Sequence, residues 1–174
     1  TSKFNLNKTH RILDVATGTG DVVFSMYKKF KVMSYGIDIA DKMIKIANFK
    51  KNKLKISDDE IIFSRGDAEK IDFEENSFDA LTISFGFRNL GDYKAGLLEF
   101  FRVLNKGGKI AILEFSKPTS KWFSPLFKFY FKNIIPLVGS MLARKDAFLY
   151  LPESVDYFLK RDEVCSRMTE AGFK

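Results

Sequence analysis

Arg11-Ile12-Leu13-Asp14-Val15-Ala16-Thr17-Gly18-Thr19-Gly20-Asp21 decides the fold. The first part is a short apolar run of the kind that forms a buried strand, and the two glycines after it let the backbone turn tightly and approach a ligand. A helical pattern follows over residues 21–30, then a second strand over 32–38. Asp41 stands where an N-cap is expected for a helix carrying Met43, Ile44, Ile46 and Ala47 on its apolar side. Further strands are expected at 61–67 and 78–84. A helix over about 94–104 carries Leu97, Leu98, Phe101 and Leu104, and Gly107-Gly108 then turns the chain into a fifth strand at 109–115. Strands alternating with helices pair in parallel through right-handed crossovers, which gives an open, doubly wound α/β sheet. A last helix is expected at about 161–171, with Gly172 as its stop. Phe173 beyond it reads as the entry to another strand.

At 174 residues, 45% hydrophobic and 29% charged, the chain suits one globular domain spanning 1–174 and is not a disordered tail. Lys and Arg number 29 against 22 Asp and Glu, a net charge of +7. Nucleic-acid binding is not expected. The lysines are spread out, with short clusters only at Lys28-Lys29 and Lys50-Lys51-Asn52-Lys53, and most Phe residues sit in apolar runs that read as core. A single cysteine, Cys165, excludes a disulfide framework or Cys-based zinc site within the chain and suits a reducing, cytoplasmic setting. A single histidine, His10, excludes chemistry needing two imidazoles. No signal peptide precedes the first strand, and Thr1 in place of Met leads us to expect that the native N-terminus is missing.

Residues 121–138 are rich in aromatics yet contain Lys128, Lys132, Pro125 and Pro136, so they do not form a membrane span. Lys121, Lys128 and Lys132 share one helical stripe, while Phe123, Phe127, Tyr130 and Ile134 share the opposite one. Two readings stand. The stretch is a helix packed on the sheet, or it covers a greasy substrate or a membrane surface within a segment of about 120–150, and the two are compatible if each side of the helix does one job.

Ligands of doubly wound sheets bind at the C-terminal ends of the strands. Asp14, Gly18, Thr19 and Gly20 gather there after the first strand, Asp38 after the second, Asp67 and Ala68 after the third, and Ser84 after the fourth. Asp38 is suited to accept both hydroxyls of a ribose. A turn without a ligand, and an Asp38 that only caps the next helix, are the plainer readings. The third glycine of the dinucleotide fingerprint would fall at Val23 and is absent, no Lys-Ser/Thr pair makes a P-loop, and no arginine follows Asp38. Asp14 and Asp21 bracket the loop and would repel a phosphate at the helix start. Carboxylates there suit a cation, which favours S-adenosyl-L-methionine (AdoMet) over a nicotinamide.

Leu13-Asp14-Val15-Ala16-Thr17-Gly18-Thr19-Gly20 resembles the first motif of class I AdoMet-dependent methyltransferases, and Arg102-Val103-Leu104-Asn105-Lys106-Gly107-Gly108 resembles the turn before their fifth strand. Thr82-Ile83-Ser84-Phe85-Gly86-Phe87-Arg88-Asn89 and Leu113-Glu114-Phe115-Ser116-Lys117-Pro118 resemble, more narrowly, the ubiquinone/menaquinone biosynthesis C-methyltransferase family. The resemblance covers nearly the whole chain. It implies a Rossmann-like fold, and AdoMet as methyl donor, leaving S-adenosyl-L-homocysteine. It implies a lipophilic polyprenyl quinol such as demethylmenaquinol as acceptor. It also implies cofactor contacts from Thr19 in the glycine loop, Asp38 at the ribose, Asp67 and Ala68 at the adenine edge, and Ser84 near the methionine part. Ala16 replaces the first glycine of the motif, and the family's N-terminal helical segment and C-terminal strands are expected to be missing here.

Methyl transfer to a ring carbon is helped by deprotonating the neighbouring hydroxyl. His10 lies at the wrong end of the sheet. Arg88 and Asn89, directly after the fourth strand, are the catalytic candidates, the arginine to stabilise a quinolate oxygen and the asparagine to hydrogen-bond it. The plainer reading pairs Arg88 with Asp92 or Glu114. Tyr130 and Tyr150 line or fill the pocket. The rivals are an O- or N-methyltransferase of another small molecule, a nicotinamide oxidoreductase and a non-catalytic scaffold. Peripheral contact with the inner face of the membrane and a homodimer are the accompanying expectations.

Overall fold

The computed structural model describes residues 6, 9–115 and 159–174. The chain divides into two compact units, Thr1–Glu114 with Arg167–Lys174, and Phe115–Ser166. The first unit holds the parallel sheet. Its strands are β1 (Arg11–Val15), β2 (Met33–Asp38), β3 (Ile61–Arg65), β4 (Phe78–Ser84) and β5 (Leu104–Leu113), in the order β3-β2-β1-β4-β5. The chain runs outward from β1 to β3, then returns to start again at β4, so the order reverses between β1 and β4. This opens the crevice in which ligands of such sheets sit.

Helices α1 (Asp21–Phe30) and α2 (Asp41–Lys53) connect the first three strands. They share a core with β3 in which Val23, Ile44, Ala47, Ile61 and Phe63 pack together. A 3-10 turn (Phe87–Asn89) and α3 (Tyr93–Val103) connect β4 to β5. By the right-handed crossover rule α3 covers the opposite face of the sheet.

The helix positions differ from the sequence expectation in register. α2 is capped by Ala40 instead of Asp41, which is its first helical residue and reaches Arg65 at 3.7 Å. Its buried stripe is Ile44, Ala47 and Lys51, while Met43 and Ile46 are exposed. Apolar composition misleads here because Lys51 fills a core position, its stem buried and its Nζ donating to Asp58 and to the Ile61 carbonyl. α3 starts at Tyr93, with the Asp92 carboxylate accepting from the amides of Lys94 and Ala95. Leu97, Phe100 and Val103 are buried, and Leu98 and Phe101 face outward.

β5 begins at Leu104, five residues before the expected position, but its pairing is broken. Phe78 pairs with Leu104 and Ala80 with Lys109, so Asn105–Gly108 loops out with Gly107 at φ 80°. The glycine turn thus lies inside the strand. A final helix, α4 (Arg161–Glu170), stops at Gly172 (φ 106°), and the ring of Phe173 packs edge-on against Phe101 at 5.3 Å. Residues 121–138, with Tyr130 and Tyr150, lie outside the described residues. No helix among the described residues is long and apolar enough to cross a membrane.

At the reversal, the residues that follow β1 and β4 both take left-handed backbone, Ala16 at φ 52° and Phe85 at φ 57°. Such conformations are costly for non-glycine residues and persist where surrounding contacts over-determine them. For Ala16 the compensation is Gly86, at φ −111°. A Cβ there would meet the Ala16 Cβ at 2.4 Å, and its next neighbour, Ile83, at an ordinary 3.5 Å. With alanine at position 16 there is no room for a side chain at position 86.

Gly86→Ala is expected to destabilise the protein by about 1–3 kcal/mol, as overpacking does, in urea or thermal denaturation. In an Ala16→Gly background the same change should cost less than about 1 kcal/mol. Equal costs in both backgrounds would show that the two residues do not compensate each other.

Candidate active site

The C-terminal ends of β1 and β4 are tied together by one carboxylate. Asp14 is 2% exposed, and its Oδ2 accepts from the Thr17 hydroxyl at 2.7 Å while its Oδ1 accepts from the Thr82 hydroxyl at 2.5 Å. Burial pushes the Asp14 carboxyl up to about 6. The Thr82 and Thr17 hydroxyls pull it back down, and the negative charge of Asp38 adds to the rise. Thr17 in turn starts the glycine loop, its amide donating to the Ile37 carbonyl at the end of β2.

Asp38 closes the loop from the other side. Its Oδ2 accepts from the Gly18 amide at 2.8 Å and its Oδ1 from the Ala40 amide at 2.9 Å. The carboxylate therefore holds the amide of Ala40, the N-cap residue of α2, as well as the glycine loop. Ile39, directly after it, is 64% exposed, a large apolar side chain left open at a strand end. Gly20 (φ 82°) lies on the Phe63 ring, where a Cβ would come within 2.5 Å of Cζ. Here both the left-handed turn and the close approach require glycine.

The expected acidic rim needs correcting. Lys50 on α2 donates through Nζ to Asp21 at 2.9 Å, to the Thr19 hydroxyl at 2.8 Å and to the Thr19 carbonyl at 3.3 Å. The Lys50 hydrogen bond, then that from Thr19, holds the Asp21 carboxyl below its usual range. Asp21 is thus a paired ion that braces the outside of the loop. Lys50 escaped the sequence reading because it lies a full crossover away from its partners. The carboxylates left to the crevice are Asp14 and Asp38.

Beyond β2, the Gly66 amide donates to the Asp38 carbonyl, which brings the turn of Asp67 and Ala68 beside Asp38. Asp67 is exposed and accepts from the Glu69 amide. Ser84 ends β4, one residue past the pairing of Ile83 with Val15. Asp14, Gly18, Thr19, Gly20, Asp38, Asp67, Ala68 and Ser84 thus share the C-terminal edge of the four strands that precede them.

Arg88 and Asn89 lie on the 3-10 turn after β4. Arg88 forms an ion pair with Glu114, just past β5, the two side chains being 6% and 5% exposed. The Arg88 amide also donates to Glu114, and its Nη1 to the Phe85 carbonyl at 2.8 Å. Of the two carboxylates expected as partners, Glu114 is the one engaged; Asp92 caps α3. Glu114 thereby fixes the guanidinium. The Asn89 amide donates to the Gly86 carbonyl.

A half-buried carboxylate at the end of β2, an exposed apolar side chain beside it, and a buried carboxylate beneath the loop fit a ligand with a ribose, a flat base and a cationic centre. Among the described residues no cluster of His, Cys, Asp or Glu could hold a metal ion.

Comparison with known proteins agrees with this reading. The ubiE/COQ5 methyltransferase family matches residues 2–174. The chain is 44% identical to the ubiquinone/menaquinone biosynthesis C-methyltransferase UbiE of Geobacter sp. (strain M21), over 99% of this chain and 74% of that protein. It is 39% identical to the demethylmenaquinone methyltransferase of Deinococcus radiodurans, over 94% and 68%. Among solved structures, a SAM-dependent methyltransferase from Aquifex aeolicus superposes with a TM-score of 0.70 at 23% identity, covering 98% of this chain and 76% of that one. Phosphoethanolamine N-methyltransferase 2 of Haemonchus contortus in complex with S-adenosyl-L-methionine gives 0.70 at 20%, covering 96% and 34%. At these identities the two structures show a shared fold.

The Asp14 carboxyl carries a signed pH dependence. Its native value of about 6 lies above the 3.8 of an unperturbed group, so the native state holds this proton more tightly. Ionisation therefore works against the fold, and its contribution to stability falls as pH rises from about 4 to 6, by up to roughly 3 kcal/mol. Urea denaturation at pH 4.5 and 7 should show a smaller decline for Asp14→Asn than for the native protein. An identical decline would place the Asp14 value near that of an ordinary carboxyl.

Proposed function

The chain belongs to the ubiE/COQ5 methyltransferase family, and from that premise we propose that it methylates a ring carbon of a polyprenylated quinol, with demethylmenaquinol as acceptor and menaquinol as product. AdoMet supplies an electrophilic methyl group on a sulfonium, transferred by in-line displacement. The observation that carries the cofactor side is the placement of Asp38, whose carboxylate stands at the end of β2 with the glycine loop already bound to it.

In this reading Asp38 accepts the ribose hydroxyls and exposed Ile39 packs on one face of the adenine. Asp67 and Ala68 border the adenine edge, and Ser84 borders the methionine part. Gly18, Thr19 and Gly20 bring the backbone close. Asp14 lies beneath the loop and contributes negative charge toward a cation, which favours its ionised form. Most of the rate then comes from holding donor and acceptor carbon in a near-attack geometry.

On the acceptor side, Arg88 stabilises the oxygen of the quinolate as it forms, and Asn89 hydrogen-bonds it. Arg88 is suited to this because its guanidinium is fixed by Glu114 and the Phe85 carbonyl, so little ordering is left to be done on binding. The prenyl tail brings the reaction to a membrane surface, and residues 121–138 are the proposed apolar cover for it.

The reaction is tested by incubating the protein with methyl-deuterated AdoMet and demethylmenaquinol in detergent, followed by mass analysis. A labelled methyl on a ring carbon is the expected product; label on oxygen, or none, would contradict the proposal. Asp38→Ala should weaken AdoMet binding more than tenfold by calorimetry, and unchanged affinity would remove the ribose contact. Arg88→Ala should lower turnover by about 10²-fold with AdoMet affinity nearly intact. Equal turnover would leave Arg88 as an ion-pair partner alone.

A further inference from the structure

The outward face of α2 is unlike the rest of the described surface. From Lys42 to Lys55 the chain carries Lys42, Lys45, Lys50, Lys51, Lys53 and Lys55 and no acidic residue. Lys50 braces the glycine loop and Lys51 is buried. Lys42, Lys45, Lys53 and Lys55 are exposed. With Ile44, Ala47 and Lys51 turned into the core, the helical repeat places Phe49, Lys42, Lys53 and Ile46 within about 60° of one another on the opposite side. Apolar side chains thus interleave with lysines there. Phe49 is 70% exposed, Met43 40% and Ile46 37%. On the neighbouring strand end, Arg65 adds positive charge and pairs with Asp41 at the helix start.

From this we infer that the outer face of α2 is a docking surface for an anionic lipid bilayer. A helix lying in the headgroup region inserts apolar side chains while lysines between them meet lipid phosphates, and the long lysine stems let both happen on one face. Charge complementarity selects the occupant: an uninterrupted run of cations around a protruding phenylalanine suits a continuous anionic surface. This face deepens the proposal of a membrane-held acceptor and rests on it for its purpose. Its binding is measurable without donor or acceptor. Its residues are distinct in sequence from 121–138, so the two stretches can be varied independently.

The test is sedimentation of the full chain with vesicles of phosphatidylcholine alone and with about one-third phosphatidylglycerol, at low and physiological salt. The native protein should bind the anionic vesicles, more weakly as salt rises. The triple variant Lys42→Gln, Lys45→Gln, Lys53→Gln should lose at least tenfold in affinity, and Ile46→Ser with Phe49→Ser severalfold. Lys70→Gln, Lys94→Gln, Lys106→Gln removes the same charge from other exposed positions and should lose less than threefold. In a Trp122→Phe background, a tryptophan placed by Phe49→Trp should be quenched by brominated lipid. AdoMet affinity should be unchanged in all variants, which separates loss of docking from failure of the proposed enzyme activity. Equal losses in both triple variants would reduce the effect to net charge and overturn the assignment. So would an absence of quenching. So would a self-association or protein complex that Phe49→Ser abolishes while vesicle binding persists.

Discussion

The Asp14 carboxylate is the interaction on which the site depends. It is buried at the reversal of strand order and bonded to one hydroxyl from the loop after β1 and one from β4. A buried carboxylate is tolerable only when its oxygens are satisfied. Here its two partners come from the loop after β1 and from β4, the adjacent parallel strand in which Thr82 lies in register with Asp14. The same group that fixes the loop thus supplies negative charge beneath it. No buried side-chain polar atom among the described residues lacks a partner, so the network closes on itself before any ligand arrives.

Other contacts hold the loop from outside. Asp38 takes the Gly18 amide, Phe63 supports Gly20, and Lys50 gathers Thr19 and Asp21. Two non-glycine residues in left-handed backbone, Ala16 and Phe85, lie on either side of the reversal. Strain of this kind is stable only in a rigid frame, and it is concentrated at the strand ends where chemistry is expected. The Ala16 Cβ occupies the space that a side chain at Gly86 would need, so the two strand ends meet closely at this point.

The parts of this arrangement that were legible in the sequence are local. The apolar runs located every strand of the sheet, and the turn residues marked the edge that carries Asp38, Asp67 and Ser84. The helix faces were read less well, because an exposed Met43 and a buried Lys51 invert the usual pattern on α2. What could not be read was partnership. Thr82 with Asp14 and Lys50 with Asp21 are each separated by at least one crossover, and nothing in spacing distinguishes a charge offered to a ligand from one already paired; for Arg88 the sequence offered Asp92 and Glu114, and the structure selects Glu114. The expected acidic rim failed at Asp21 for that reason, while the cofactor class is supported by the family to which the chain belongs.

The protein alone organises the loop, and amide hydrogen exchange of Thr17, Gly18 and Gly20, resolved by NMR in protein stripped of AdoMet, reads this out. Each of these amides donates to an acceptor in the fold, so protection of at least about 100-fold over an unstructured peptide is expected before donor is added. Exchange near the unstructured rate, with protection gained only on adding AdoMet, would mean that the ligand builds the loop and that Asp14 does not.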